Sequence, residues 1–227
     1  MINKIINQIW IGPYAIPQRE QQFANEIRES HPDYEYHLWT DLNLPPLTDN
    51  QWKMYRLFYE KEDYVYAADL IRFVVVQLYG GWYFDIDFQL IKNLNEYEIG
   101  DSKGVVFGHW GQGWTHCDYT LANGLFYFEK DNPLAKYITG NMPVDLGYCH
   151  TPYSPGWFGM IVKKYLGLPN EFCSEIWEYH RIMKEKLAEH NIMYGDYNRF
   201  QNENFKHYAL YAWSQENKQK FKNGEIK

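Results

Sequence analysis

Residues 67–87 constrain the fold of this chain more than any other stretch of its 227 residues. They read AADLIRFVVVQLYGGWYFDID. Apolar residues recur with the spacing of an α-helix in the first part, and Gly80 and Gly81 end it because glycine takes a left-handed conformation at no steric cost. Apolar and polar residues then alternate as far as Leu90, as they do in a strand. The segment predicts a helix that leads through a tight turn into a strand.

Four charged residues stand out in this segment. Asp69 and Arg72 are three positions apart and therefore share one face of the predicted helix. Asp85 and Asp87 lie on one side of the predicted strand, with Cα atoms about 6.5 to 7 Å apart, and we expect them to face solvent. Two such carboxylates repel each other unless a cation lies between them, and Mg²⁺ or Mn²⁺ holding a diphosphate would suit them. An isolated Asp-x-Asp is more often an exposed strand face.

The order of these features along the chain favours a cation site over an exposed strand face. An Asp/Arg helix, a Gly-Gly turn and Tyr-x-Asp-x-Asp resemble the signature A-x-S-D-x-x-R … Y-G-G-x-Y-x-D-x-D of DXD-containing glycosyltransferases. The pattern is similar to family 32 sugar transferases, which include yeast initiating mannosyltransferases, bacterial capsular polysaccharide transferases and the catalytic domain of large clostridial glucosylating toxins. One departure is Ala68, where serine is usual.

The resemblance implies specific roles for residues of this chain. Catalytic residues would be Asp69, Arg72, Asp85 and Asp87. Contacts with the donor or acceptor would come from Trp10, Asp69, Arg72, Tyr83, Asn123 and Trp213. Metal ligands would be Asp85, Asp87 and His207, and the imidazole favours Mn²⁺ over Mg²⁺.

Some of these assignments have competing interpretations. Trp10 follows the strand-like INKIINQIWIG, where relatives stack a tryptophan on the nucleotide base, but it could equally be a core residue. Asn123 precedes a glycine, and Asn-Gly is also an ordinary turn. His207 and Trp213 resemble the family's A-x-H-x-x-x-x-S-W with Trp213 before Ser214, so both roles remain open.

Strand and helix patterns alternate along the chain, which predicts an α/β class. The resemblance makes this a nucleotide-sugar transferase fold of the GT-A type, with a mixed central sheet flanked by helices and a central strand that ends at Asp85. The length suits a single domain over residues 1–227, and a polar tail from about residue 215 is expected to be flexible.

Composition excludes several classes of partner. The net charge of −7 and pI near 5.6 argue against nucleic acid and anionic membranes. No run of about 18 apolar residues and no signal-peptide pattern occurs, so no transmembrane segment is expected. Three cysteines, Cys117, Cys149 and Cys173, are an odd number without metal-site spacing, which favours reduced thiols and a cytoplasmic location.

The sequence therefore predicts a metal-dependent, retaining glycosyltransferase. It would move a sugar from a UDP- or GDP-linked donor to a glycan, as in polysaccharide biosynthesis, or to another hydroxyl acceptor. A nucleotide-sugar or glycan-binding module of the same fold, with weak or no turnover, is the alternative. A haloacid dehalogenase-type phosphatase is disfavoured because Gln89 occupies the position where that chemistry usually has Thr or Val.

Overall fold

The computed structural model describes residues 3–109, 121–145, 153–169 and 176–207. The elements of the amino-terminal half are β1 (Ile5–Trp10), α1 (Gln18–Ser30), β2 (Glu35–Thr40), α2 (Asp49–Glu60), α3 (Tyr64–Tyr79), β3 (Gly81–Phe84) and β4 (Phe88–Leu90). Those that follow are β5 (Gly104–Gly108), β6 (Leu125–Phe128), α4 (Pro133–Gly140), α5 (Pro155–Tyr165), α6 (Ile176–Ala188), β7 (Ile192–Asp196), α7 (Tyr197–Asn204) and β8 (Phe205–His207). The alternation of strands and helices confirms the α/β class.

A six-stranded sheet in the order β2-β1-β3-β6-β5-β7 forms the centre of the molecule. β1 runs parallel to β2 and β3, β6 runs antiparallel to β3 and β5, and β7 runs parallel to β5. The sheet is therefore mixed, as expected, and β3 is one of its central strands. β3 ends at Phe84, so its carboxyl end delivers the chain directly to Asp85.

Helix α3 is the apolar centre of one layer. Its residues are buried on nearly all sides, and a helix with this pattern belongs in a protein interior. Gly80 ends it with φ of 75° and donates its backbone N–H to the Val76 carbonyl. Gly81 brings β3 close to β1, since a Cβ there would lie 2.4 Å from the Ile5 carbonyl oxygen. The predicted Gly-Gly stop is thus confirmed, with a different reason for each glycine.

Two apolar layers cover the sheet. The larger contains residues of helices α2 to α6, including Tyr83 from β3. The smaller contains Trp82, Phe84 and Phe88, together with Ile27 of α1 and Tyr197 and Phe200 of α7. Trp82 and Phe84 therefore pack on one face of β3 and Tyr83 on the other, which is the predicted alternation.

The predicted strand from Trp82 to Leu90 is wrong in its second half. The strand stops at Phe84, and the chain turns where the Phe88 N–H donates to the Asp85 carbonyl at 3.2 Å. The next strand, β4, then leaves the main sheet and pairs antiparallel with β8. Asp85 and Asp87 consequently lie in a turn at the carboxyl end of β3. The turn is needed because β3 pairs within the main sheet, whereas the strand that begins at Phe88 pairs with β8.

Several predictions fall outside the described residues. Trp213, the three cysteines and the tail from about residue 215 belong to this group. Of the helices in the described part of the chain, none combines the length and apolar character needed to cross a membrane.

Candidate active site

A buried ion pair forms the base of the site. Asp69 and Arg72 on α3 are 5% and 4% exposed, and Nη2 of Arg72 contacts Oδ1 of Asp69. The same nitrogen lies 3.2 Å from Oδ1 of Asp85, and Nη1 donates to the Asn123 carbonyl at 2.8 Å. The guanidinium also lies over the Tyr83 ring, 4.9 Å from its centroid. Arg72 therefore connects α3, the turn after β3 and the chain before β6.

Asp85 is held through both of its backbone polar groups and through one carboxylate oxygen. Its backbone N–H donates to the Gly124 carbonyl at 2.9 Å, and its own carbonyl accepts from the Gln8 side chain at 3.3 Å. Oδ1 accepts the Tyr83 hydroxyl at 2.5 Å in addition to the contact with Arg72. The side chain is 29% exposed. Gln8 was not singled out from the sequence, since it reads there as one residue of a buried strand.

Burial and neighbouring charges set the ionisation of these groups. Burial raises the pKa of Asp69, Arg72 opposes this, and the Asp85 carboxylate adds to it. Burial would lower the pKa of Arg72, but the carboxylates of Asp69 and Asp85 outweigh it and raise that pKa. Burial also raises the pKa of Tyr83, whose phenol therefore stays a donor to Asp85. Arg72 is a permanent cation among acids.

Asp87 is more enclosed than the sequence predicts. It is 6% exposed, so the expectation that both carboxylates face solvent is wrong for Asp87. Tyr197, at the start of α7, faces both acids: burial first, then the charges of Asp85 and Asp87, raise its pKa. Its ring packs 4.5 Å from that of His109. Sequence reasoning missed Tyr197, because no local pattern connects a residue so far along the chain with the turn.

Asn123 and Gly124 close the site from the side of β6. The Asn123 side chain hydrogen-bonds Asp69 and donates from Nδ2 to the Tyr153 carbonyl at 3.0 Å. The side chain is thus engaged inside the protein and is 7% exposed. Its contact with the donor or acceptor stays a prediction, while its contact with Asp69 places it beside the catalytic candidates.

Trp10 lies at the carboxyl end of β1, as predicted, next to the turn that carries the two acids. It is 7% exposed and packs with Ala24 and Ile86, the residue between Asp85 and Asp87. Its Nε1 donates to the Tyr14 carbonyl at 2.7 Å. The indole therefore supports the turn in this structure, and its stacking on a base remains a prediction.

The acidic turn fits a hard divalent cation. Among the described residues no cluster of three or more His, Cys, Asp or Glu side chains could hold a metal ion by itself. Two carboxylates are nevertheless sufficient where phosphate oxygens and water complete the shell, as Mg²⁺ and Mn²⁺ allow. Oδ2 of Asp85, with the permanent cation Arg72 held on Oδ1, is a suitable oxygen donor. His207 pairs through its backbone with Phe88, the residue after Asp87, and its role as third ligand stays a prediction.

Comparisons with known proteins identify sequences similar to this chain. Residues 17–104 match the family described as "Glycosyltransferase sugar-binding region containing DXD motif". The inositol phosphoceramide mannosyltransferase 3 of Schizosaccharomyces pombe is 25% identical over 196 residues, which cover 83% of this chain and 51% of the relative. An uncharacterized glycosyltransferase of Acanthamoeba polyphaga mimivirus is 27% identical over 145 residues, which cover 63% of this chain and 56% of that protein. This chain thus spans about half the length of these two relatives.

A solved structure shares the fold. The PaToxG glycosyltransferase superposes with a TM-score of 0.59 over 82% of this chain and 79% of that one, at 16% identity. The predicted GT-A architecture is therefore confirmed, and the family match covers the segment that contains Asp69, Arg72 and the acidic turn. In motif, relatives and fold together, this chain is similar to glycosyltransferases that contain a DXD motif.

Proposed function

We propose that this chain is a metal-dependent, retaining glycosyltransferase that moves a sugar from a nucleoside diphosphate to a hydroxyl acceptor. The observation that carries the proposal is the turn of Asp85 and Asp87 directly above the buried pair Asp69 and Arg72. The Arg72 guanidinium and the acidic turn lie at the carboxyl end of a central strand, where open α/β sheets bind their ligands. The family match spans the same residues.

Asp85 and Asp87 would hold the divalent cation, and His207 would be the third ligand. When bound, such a cation neutralises charge that develops on a departing diphosphate. Arg72 supports the same site as a fixed positive charge, since its contacts with Asp69 and the Asn123 carbonyl prevent it from moving away. Preorganised charge of this kind favours a transition state without the cost of reorganisation.

The protonation states favour retention through the donor's own phosphate. Tyr83 keeps its proton and donates a hydrogen bond to Asp85, and Asp69 is engaged with Arg72 and Asn123. Neither group is available as a base for an acceptor hydroxyl. We infer that the leaving phosphate takes that proton from the same face of the sugar, which would give an α-linked product from an α-linked donor.

The relatives indicate which donor to test first. Inositol phosphoceramide mannosyltransferases occur among them, so a GDP-linked mannose leads the donors, followed by UDP-linked sugars. The acceptor would be a glycan or another compound that presents a hydroxyl group. Because this chain spans 51% of one of these relatives and 25% of another, their acceptor is a hypothesis for this chain.

A thermal-shift screen tests the proposal. GDP-, UDP-, ADP- and CMP-sugars would each be added with and without Mn²⁺, and a ligand at about 100 times its Kd stabilises the fold by about 2.7 kcal/mol. We expect a GDP- or UDP-sugar to raise the Tm only when Mn²⁺ is present. Product analysis of the stabilising donor then follows. Stabilisation without slow donor hydrolysis or transfer would favour a binding module, and no stabilisation by any of these donors would contradict both functions.

A further inference from the structure

The dipeptide Asn123–Gly124 contacts each of three charged residues in the site. The Asn123 carbonyl accepts from Arg72 at 2.8 Å, and the Asn123 side chain hydrogen-bonds Asp69. The Gly124 carbonyl accepts the backbone N–H of Asp85 at 2.9 Å. The backbone before β6 is therefore built against the acidic turn, and Gly124 is its closest point.

Gly124 has a steric reason to be glycine. A Cβ at this position would lie 2.4 Å from Oδ2 of Asp85 and 3.2 Å from its Cγ, whereas the next atom, in the Phe88 ring, is 3.8 Å away. The first distance is shorter than real Cβ contacts allow. Its φ lies outside the left-handed region, so the backbone conformation there would accept any residue. The steric clash with the Asp85 carboxylate is therefore the reason why a glycine suits position 124.

That carboxylate has little freedom to move away. Oδ1 accepts the Tyr83 hydroxyl at 2.5 Å and lies 3.2 Å from Arg72. The backbone of Asp85 is held on both sides, by Gly124 and by Gln8. A methyl group on residue 124 would force the carboxylate to rotate and would break its contacts with Arg72 and Tyr83.

We propose that Gly124 is a positioning residue: by having no side chain, it leaves room for Oδ2 of Asp85 and lets the carboxylate keep Oδ1 on Arg72 and Tyr83, the orientation in which it would meet a bound ligand. The identity of that ligand, a divalent cation with a nucleoside diphosphate, rests on the proposed function. The steric coupling between Gly124 and Asp85 does not, and it can be measured on the protein without any ligand.

The coupling is tested by thermal unfolding in the presence of a chelator. Gly124→Ala is compared in two backgrounds, the native chain and Asp85→Ala, and Gly140→Ala is the matched control because a Cβ there meets nothing within 4 Å. We expect Gly124→Ala to lower the Tm by about 2–4 °C or more in the native background and not in Asp85→Ala. An equal shift in both backgrounds, or none in either, would overturn the proposal. The double variant keeps the test valid if the single variant folds poorly.

The second measurement is the affinity for Mn²⁺, followed by electron paramagnetic resonance of the free ion with UDP or GDP present. Gly124→Ala should bind about 10-fold more weakly, the effect expected when a ligand loses its supporting contacts, and Gly140→Ala should bind as the native chain does. Equal affinity in both variants would overturn the positioning role. If the native chain binds no Mn²⁺, the metal in the proposed function is contradicted, and the Tm comparison still decides on Gly124.

Discussion

At the scale of single residues, a buried ion pair supports a partly exposed carboxylate. Nη2 of Arg72 contacts both Asp69 and Asp85, and the Tyr83 hydroxyl donates to the same oxygen of Asp85. A buried arginine with such partners acts through position as well as charge, because its planar donors fix the directions of its contacts. The site therefore depends on residues that a ligand need not touch.

Replacing Asp87 tests the cation site. We expect Asp87→Asn to abolish turnover and to remove the dependence of donor affinity on Mn²⁺, because the amide lacks the negative charge that the cation requires. Calorimetric titration of GDP and UDP with and without Mn²⁺ measures this, and the unfolding free energy checks the fold. Asp131→Asn, at an exposed acid, is the control. Unchanged Mn²⁺-dependent affinity in Asp87→Asn would contradict the assignment.

Removing the Arg72 guanidinium tests the ion pair with Asp69. Arg72→Met should destabilise the fold by about 3–5 kcal/mol, the usual cost of leaving a buried charge without its partner. Asp69 would then be a buried carboxyl with a pKa above its unfolded value, so the loss should be greatest at pH 8 and shrink as the pH falls and Asp69 takes a proton. Urea unfolding at pH 8 and pH 5 measures it. Adding Asp69→Asn should recover part of the stability at pH 8, and failure to do so would contradict the electrostatic cause.

Trp10→Ala separates two roles of the indole. Because Trp10 is 7% exposed, we expect a loss of about 3–5 kcal/mol in unfolding free energy, as for other buried tryptophans. If the ring also stacks on a base, nucleotide affinity falls by about 1–3 kcal/mol. Trp10→Phe is the matched variant, since it keeps an aromatic face but loses the contact with the Tyr14 carbonyl. An unchanged unfolding free energy in Trp10→Ala would contradict its place in the core.

At the scale of elements, residues close together in the sequence determine where several helices begin. Helix α2 begins after Thr48, whose side chain accepts from the Gln51 N–H in a capping box, and α5 begins after the N-cap Ser154. These limits are set by neighbours in sequence, so the sequence carries enough information to predict them.

Strand β7 and the end of β3 were missed for a different reason. β7 pairs with β5 in parallel, and the local pattern of Ile192–Asp196 does not reveal that distant partner. β3 stops because the chain turns at Asp85, whose carbonyl accepts the Phe88 N–H, and the following strand pairs with β8. Tyr197 and Gln8 likewise contact the turn although they are far from it in the sequence. Predicting them requires the tertiary structure, whereas Asp69, Arg72, Asp85 and Asp87 form a local motif.

Helix α6 contacts strand β7 through His180, which titrates at a lower pH in the folded chain than in the unfolded chain. His180 contacts the Tyr194 hydroxyl through Nδ1 and also bonds the His109 backbone, and burial lowers the pKa of His180 to about 4. The unfolded chain takes up a proton near pH 6.5, so this group makes stability fall as the pH drops from about 6.5 toward 4. Its slope is at most about 1.4 kcal/mol per pH unit.

The measurement is the unfolding free energy of His180→Gln between pH 7 and pH 5. Glutamine keeps hydrogen-bonding groups but does not titrate, so the fall in stability over this range should be smaller than in the native chain. The exposed His190 provides the control variant His190→Gln. A pH dependence identical to that of the native chain in His180→Gln would show that His180 is not the titrating group.

At the scale of the whole molecule, the sheet order brings residues from distant parts of the chain to one edge. The resemblance predicted this architecture from the motif, and the shared fold confirms it. The activity that we propose has a stereochemical consequence at this scale. Proton NMR of the product should show an α-anomeric signal from an α-linked donor, and a β-linked product would contradict the retaining mechanism.

The pairing of β4 with β8 determines when the site can be completed. The acidic turn and its central strand are synthesised in the first half of the chain, whereas the strand opposite Phe88 is Phe205–His207. β7, the edge strand of the main sheet, also comes late in the chain, so the six-stranded sheet and the small sheet are both completed by residues 192–207. The strand that follows the acidic turn therefore gains its partner only from residues more than 100 positions further along the chain.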